Sequence, residues 1–403
     1  MPRVPDGPEQ HADVVVVGAG IVGLATAWQL TRQRPGAQVV VLERDHEVGT
    51  QQSSRNSGVL HAGLYYPPGS AKARWCRTGK AALEDYLVER GLPLARTGKL
   101  VVAVHDDEVA GLRALEERAR TNGVRVERVG AAGLRDHEPH VTGVAGLFSP
   151  DTAVTEFGAV CRALAADVTA AGGGIHLGVE VVGLDDDGDQ VTVRTTTGVL
   201  RARAVVTCTG LSADRVAAFS GPDPDRRVVP FRGAWLRLRP DRTHLVRGNI
   251  YPVPAPGLPF LGVHLTRRVD GEVWIGPNAL LALARQGRRP WSVSPRDLAD
   301  AVGFAGLWRL GAQHWRTGLD ELWRDRVIPA ALREVRRYVP EVSRDDVRRG
   351  PWGVRAQVLT RAGTLVDDFD LRTTGRVVHL LNAPSPAATS ALAIGQELAR
   401  RVP

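Results

Sequence analysis

The chain has 403 residues, 43% of them hydrophobic and 24% charged, which suits a folded core and excludes a wholly disordered protein. Its 52 basic residues include only three lysines, Lys72, Lys80 and Lys99, leaving 49 arginines against 44 acids and a net charge of +8. A phosphate-binding surface ordinarily draws on both cations, so the excess reads as compositional bias and no nucleic-acid partner is expected.

The first element spans residues 12–30, an apolar run with Asp13 as its single charge. Length alone would admit a membrane span, but Gly18, Gly20 and Gly23 interrupt it. A strand over 13–17, a glycine turn and a helix to about 34 explain the pattern better. A second strand follows at 39–42 and ends at Glu43, twenty residues after Gly23. Gly18 allows a tight turn, Gly20 lets backbone approach a pyrophosphate, and Gly23 lets helix pack on strand. The helix N-terminus offers N–H groups to phosphates, and Glu43 can accept from ribose hydroxyls. Glu43 argues against a 2′-phosphate on the cofactor, while Arg44 beside it keeps that question open.

A polar loop over 49–58 then leads into a Val-Leu-His-Ala-Gly-Leu-Tyr-Tyr run ending at Tyr66. Residues 106–122 read as an amphipathic helix with Glu116, Glu117, Arg118 and Arg120 on a solvated face. The Asp185–Asp189 cluster lacks the later bidentate Glu of a calcium loop and is expected to be a hairpin turn. A strand over 204–209 runs into Gly210, a second close approach of backbone. Residues 226–280 alternate as strands do, and 295–340 read as mostly helical, with Trp308, Trp315 and Trp323 expected in helix packing. A strand over 377–381 leads through Asn382 to Ser385 into a helix over about 386–400, with Pro386 in its first turn. That helix N-terminus could stabilise a reduced flavin. Cofactor segments at both ends and in the middle of the chain suit FAD. Cys76, Cys161 and Cys208 are far apart and form no CxxC pair, so neither disulfides nor zinc is expected, and a reducing cytoplasm is the simplest setting.

The strings NSGVLHAGLYYPPGSAKARWC, YPVPAPGLPFLGVHLTR, GPNALLA, GVRAQ and LLNAPSPAATS resemble those of L-2-hydroxyglutarate oxidases and dehydrogenases. These are FAD-dependent oxidoreductases of the D-amino-acid oxidase and glycine oxidase type, and the resemblance covers about residues 12–400. It implies an α/β fold: a discontinuous Rossmann-like FAD-binding domain (1–93, 151–225 and 346–403) with an inserted substrate domain of antiparallel sheet and helices (94–150 and 226–345). It implies cofactor contacts from Gly18, Gly20, Gly23, Glu43, Arg44, Ser54, Asn56, Ser57, Val181, Gly210, Pro384, Ser385, Pro386, Ala387 and Ala388. The activity implied is FAD-dependent oxidation of L-2-hydroxyglutarate, or a closely related 2-hydroxy acid, to the 2-oxo acid by hydride transfer to flavin N5, with oxygen or a quinone as electron acceptor and peripheral contact with the inner membrane face left open.

That chemistry needs a hydride acceptor, a base for the hydroxyl proton and cations for the carboxylates. Histidine titrates in a suitable range, and His61, followed by His264, is the candidate base. A guanidinium fits a carboxylate bidentately, which favours Arg232 and Arg355. Tyr66, Lys72 and Tyr251 are further substrate-pocket candidates. Several positions depart from the family pattern: Ala234 and Trp235 after Arg232-Gly233, Ala255, the Thr152–Glu156 run, and Arg285 to Arg288. Most lie in the substrate half, so a different hydroxy acid, an amino acid or a secondary alcohol remains the alternative substrate.

Overall fold

Two large sheets organise the computed structural model, which describes residues 10–254, 262–287 and 289–403. Ala255 and Arg288 therefore lie outside the described residues. In the first sheet the strand Gln10–Val17 is central, paired in parallel with Val39–Glu43 on one side and Gly198–Thr207 on the other. Val14, Val15 and Val16 are almost wholly buried, as a parallel strand covered on both faces requires. The helices Ile21–Gln33, Phe157–Ala170 and Ala391–Arg401 contribute to the core beside it. Val377–Asn382 joins the same sheet, in parallel with Gly198–Thr207. The acidic cluster is a hairpin turn between Val181–Asp186 and Val191–Thr195.

The second sheet is built on the long antiparallel pair Arg226–Leu238 and Val347–Thr360. Residues 347–360, grouped above with the nucleotide segments, thus hydrogen-bond into the second sheet. Lys99–Ala103 lies between Asn249–Pro252 and Ala145–Ser149 within it. A small third sheet pairs Val59–Leu60 with Ala153–Thr155 and fixes where the following His61 emerges.

Three expectations change. The helices Pro295–Val302, Ala305–Arg326 and Ile328–Val335 are present, yet Trp308, Trp315 and Trp323 are 63%, 56% and 60% exposed rather than packed. Glu116 is buried instead of solvated, because Arg120 reaches it at 2.6 Å and Arg128 at 3.6 Å. The last helix begins at Ala391, with Ser390 as its N-cap residue. Pro386 sits before it in a turn where Ala387 N–H donates to the Pro384 carbonyl at 2.9 Å. The cofactor-facing segment there is a turn and not a helix end.

Candidate active site

The first βα turn is as tight as its glycines imply. Gly18 has φ +104°, and a Cβ there would stand 2.6 Å from the Cys208 carbonyl oxygen. A Cβ on Gly23 would stand 1.9 Å from the Gly18 carbonyl oxygen, so the helix rests directly on the turn. Glu43 accepts the Ala19 N–H at 2.7 Å and the Asp45 N–H at 3.0 Å. Burial pushes its carboxyl pKa up, against the pull of those two N–H groups.

The following loop is held mainly by its own side chains. Asn56 Nδ2 donates to the Gln52 and Ser53 carbonyls, and its Oδ1 accepts the Gly58 N–H at 2.9 Å. Ser54 Oγ donates to the Gly49 carbonyl at 2.6 Å. Arg44 reaches Ser212 Oγ at 3.3 Å.

These elements open onto one cavity of about 740 Å³. Gly18, Gly20, Glu43, Arg44, Asn56, Ser57, Val181, Gly210 and the turn from Pro384 through Ser385, Pro386 and Ala387 to Ala388 all line it. Gly23 and Ser54 do not; each shapes the backbone of a neighbour that does. Thr209 lines the same cavity, and its hydroxyl is buried without a hydrogen-bond partner among the described residues. Such an orphaned polar atom beside the glycine turn and the Glu43 carboxylate is what an extended dinucleotide would satisfy. The residues present fit FAD.

At the other end of the cavity lie His61, Tyr65, Tyr66, Lys72, Tyr251, His264 and Arg355. His61 is anchored by its backbone, whose N–H donates to Thr389 Oγ1 at 3.1 Å. Burial, then the neighbouring Lys99 and His264, hold its ring well below the usual histidine range. His264 stacks on Tyr251, with ring centroids 4.0 Å apart, and its Nδ1 bonds the Gly262 carbonyl at 2.9 Å. Burial pulls the His264 pKa down to about 3. Both rings are therefore neutral at ordinary pH.

Arg355 faces this end with burial drawing its pKa down to about 10, so it stays cationic near neutrality. Gly233 leaves it room: a Cβ there would lie 3.2 Å from Arg355 Nη2. Lys72 is buried and paired with Asp367 at 2.7 Å, its charge already matched at the rim. Arg232 does not reach the cavity. In the antiparallel register Phe231 faces Arg355 and Arg232 faces Val354, so the two arginines point to opposite faces of the sheet. Arg232 instead pairs with Asp325 at 2.9 Å and lies over the Trp291 ring at 4.2 Å.

Three residues escaped the sequence reading. Lys99 lies behind His61, Tyr65 faces the cavity with a buried hydroxyl that has no partner among the described residues, and Thr389 ties the C-terminal turn to the His61 loop. Only Lys99 left a trace in sequence, as a rare lysine beginning an otherwise apolar strand.

Comparison with known proteins agrees with this geometry. A family profile described as FAD dependent oxidoreductase matches residues 13–401. The chain is 43% identical to the mitochondrial L-2-hydroxyglutarate dehydrogenase of Caenorhabditis elegans, covering 95% of this chain and 91% of that protein. It is 41% identical to the L-2-hydroxyglutarate dehydrogenase of Escherichia coli strain K12, covering 97% and 93%. Among solved structures, L-alpha-glycerophosphate oxidase from Mycoplasma pneumoniae superposes with a TM-score of 0.78 at 21% identity, covering 97% of this chain and 94% of that one. Glycine oxidase from Geobacillus kaustophilus gives 0.73 at 19%, covering 98% and 96%. With a nucleotide sheet, a cleft that fits FAD and full-length similarity, the chain belongs to the FAD-dependent oxidoreductases, in the group of the L-2-hydroxyglutarate dehydrogenases.

Proposed function

We propose that this protein oxidises L-2-hydroxyglutarate to the corresponding 2-oxo acid. The observation that carries the reading is one half-buried arginine, Arg355, and two neutral histidines, His61 and His264, at one end of the FAD cleft. The 40–44% identity to L-2-hydroxyglutarate dehydrogenases supports the substrate. When bound, FAD supplies the hydride acceptor.

Arg355 is the candidate anchor for a substrate carboxylate, because a guanidinium offers paired donors and keeps its charge when buried. His61, neutral and anchored through Thr389, takes the hydroxyl proton. His264 donates Nδ1–H to the Gly262 carbonyl, so in its neutral ring Nε2 is an acceptor only. Tyr66 and Tyr251 close the apolar walls and exclude water. Arg232 is withdrawn as a substrate ligand and assigned a structural ion pair.

Anaerobic mixing of the holoenzyme with each enantiomer of 2-hydroxyglutarate, with malate, lactate and amino acids, tests the assignment. Rapid bleaching by L-2-hydroxyglutarate alone is expected. Equal or faster bleaching by another acid would replace the substrate and give weight to Trp235, which lines the cavity where the family pattern breaks.

For the electron acceptor, oxygen or a quinone, one observation favours contact with a bilayer surface. Among the described residues no helix is long and apolar enough to cross a membrane. The helix Ala305–Arg326, however, exposes Trp308, Trp315, Leu319 and Trp323 beside Arg309, Arg316 and Arg324. Exposed tryptophans with flanking arginines suit a lipid interface. Flotation with anionic vesicles that is lost in a triple Trp→Ser variant supports this reading; no flotation of the unaltered protein removes it.

A further inference from the structure

Behind the His61 ring lies a lysine that no acid among the described residues matches. Lys99 is 1% exposed. Its Nζ stands 3.5 Å from His61 Nδ1, 4.2 Å from the Tyr251 ring centroid and 5.0 Å from that of Tyr65. The other titratable groups around it are Cys76, whose Sγ donates to the His61 carbonyl at 3.2 Å, and His264. Among the described residues no carboxylate pairs with Lys99. An unpaired ammonium in such a place is costly, and burial draws the lysine down to about 7. The two tyrosine rings stabilise the cation once it forms, so amine and ammonium are both accessible near neutral pH.

This placement bears on His61, which must carry its proton on Nδ1 if Nε2 is to accept one from substrate. A hydrogen on Nδ1 needs an acceptor, and Lys99 Nζ faces that atom. An ammonium there would donate to Nδ1 and force the opposite tautomer, with Nε2 already protonated.

We infer that Lys99 is the positioning residue of the proton acceptor: as a neutral amine it accepts from His61 Nδ1–H, leaves Nε2 bare toward the substrate hydroxyl, and ends the step as the ammonium. The inference rests on His61 as the base. The balance is simple. The substrate O–H bond breaks and an N–H bond forms at Nε2, while Nδ1–H breaks and a third N–H forms at Nζ. The two electrons of the Cα–H bond leave with the hydride to bound FAD. Lys99 acts through His61 and needs no contact with substrate. The 3.5 Å separation is long for a hydrogen bond, as it often is before substrate tightens a site.

The test uses FAD-loaded enzyme and rapid-mixing reduction. Lys99→Met is expected to reduce flavin about a hundredfold more slowly with little change in KM, and to move the acid limb of the pH–rate profile. Lys99→Ala should be rescued by ethylamine in proportion to the free amine. Lys99→Arg, which cannot deprotonate, should not recover the rate. Rates within threefold of wild type with an unmoved pH profile in Lys99→Met overturn the inference. So does a folded, FAD-loaded Lys99→Ala enzyme that no amine rescues. His61→Asn separates the two layers: a near-normal rate removes His61 as base and the inference with it. A dead His61→Asn beside a normal Lys99→Met removes Lys99 alone.

Discussion

Arg232 and Arg355 stand on adjacent strands one register step apart and point to opposite faces of the sheet they share. The first is neutralised by Asp325 in a pair whose two side chains are each only 3% exposed. The second faces the cavity. Their losses should therefore look different.

For Arg355→Met we predict a rise in KM and a fall in kcat/KM of about two orders of magnitude, the scale of a lost buried charge contact at ~3 kcal/mol. Arg355 is half-buried, so thermal unfolding should change less than in the corresponding variant of the fully buried Arg232. For Arg232→Met the opposite is expected: removing one partner of a buried pair costs about 3–5 kcal/mol of stability, with KM unchanged in the folded fraction. A large KM effect in Arg232→Met at normal stability would restore it to the substrate site.

Much of this could be read from the residues. The glycine turn, its strands and Glu43 form a local unit, with spacing set by a single βα crossover, and they appear where expected. Arg232 misled because strand alternation shows which residues share a face, but not which face meets the cavity until the partner strand 347–360 is known. The Trp308, Trp315 and Trp323 series misled similarly: a helical period marks a stripe without saying whether anything covers it. Lys99 was invisible as chemistry because its meaning comes from a residue 38 positions earlier in the chain.

Lys99 should also trade stability for function. Its folded pKa of about 7 lies below the unfolded value of about 10.4. The unfolded chain then binds more protons between these values, so stability rises with pH across that window. At pH 7 the buried lysine costs a few kcal/mol, and a methionine there removes this cost. Lys99→Met is predicted to melt several degrees higher while turning over more slowly. A lower Tm in this variant would count against an unmatched buried lysine.

The acid side has its own signature. Burial holds His379 at about 4, in contact with Thr207 Oγ1 at 2.9 Å. Its folded pKa lies below the unfolded value near 6.5, so the unfolded state gains protons first as the solution is acidified. Stability should fall as pH drops from about 6.5 toward 4, by roughly 3 kcal/mol for this group. His379→Gln should flatten that part of a Tm-against-pH curve; an unchanged slope would assign the loss to other groups.

Glu43 links the same variable to cofactor retention. Its carboxylate is half-buried beside the glycine turn, with a raised pKa. Glu43→Gln is expected to weaken FAD binding about tenfold or more, an effect of ~1.4 kcal/mol, read from the fluorescence of released flavin. Acidification should release FAD from the wild type earlier than it unfolds the sheet. Equal retention in both proteins would place ribose recognition elsewhere.

The bond from the His61 backbone to Thr389 Oγ1 joins residues 328 positions apart, so the His61 loop gains this anchor only once the C-terminal turn has been made. The glycine turn is made long before the strand at 377–382 of the same sheet and the turn at 384–388. Flavin capture is then predicted to follow synthesis of the 384–388 turn, which lines the cavity, rather than precede it. A chain ended after residue 376 would carry every glycine of the motif and retain no cofactor, and a nascent chain stalled at that length should be as sensitive to protease with FAD as without it.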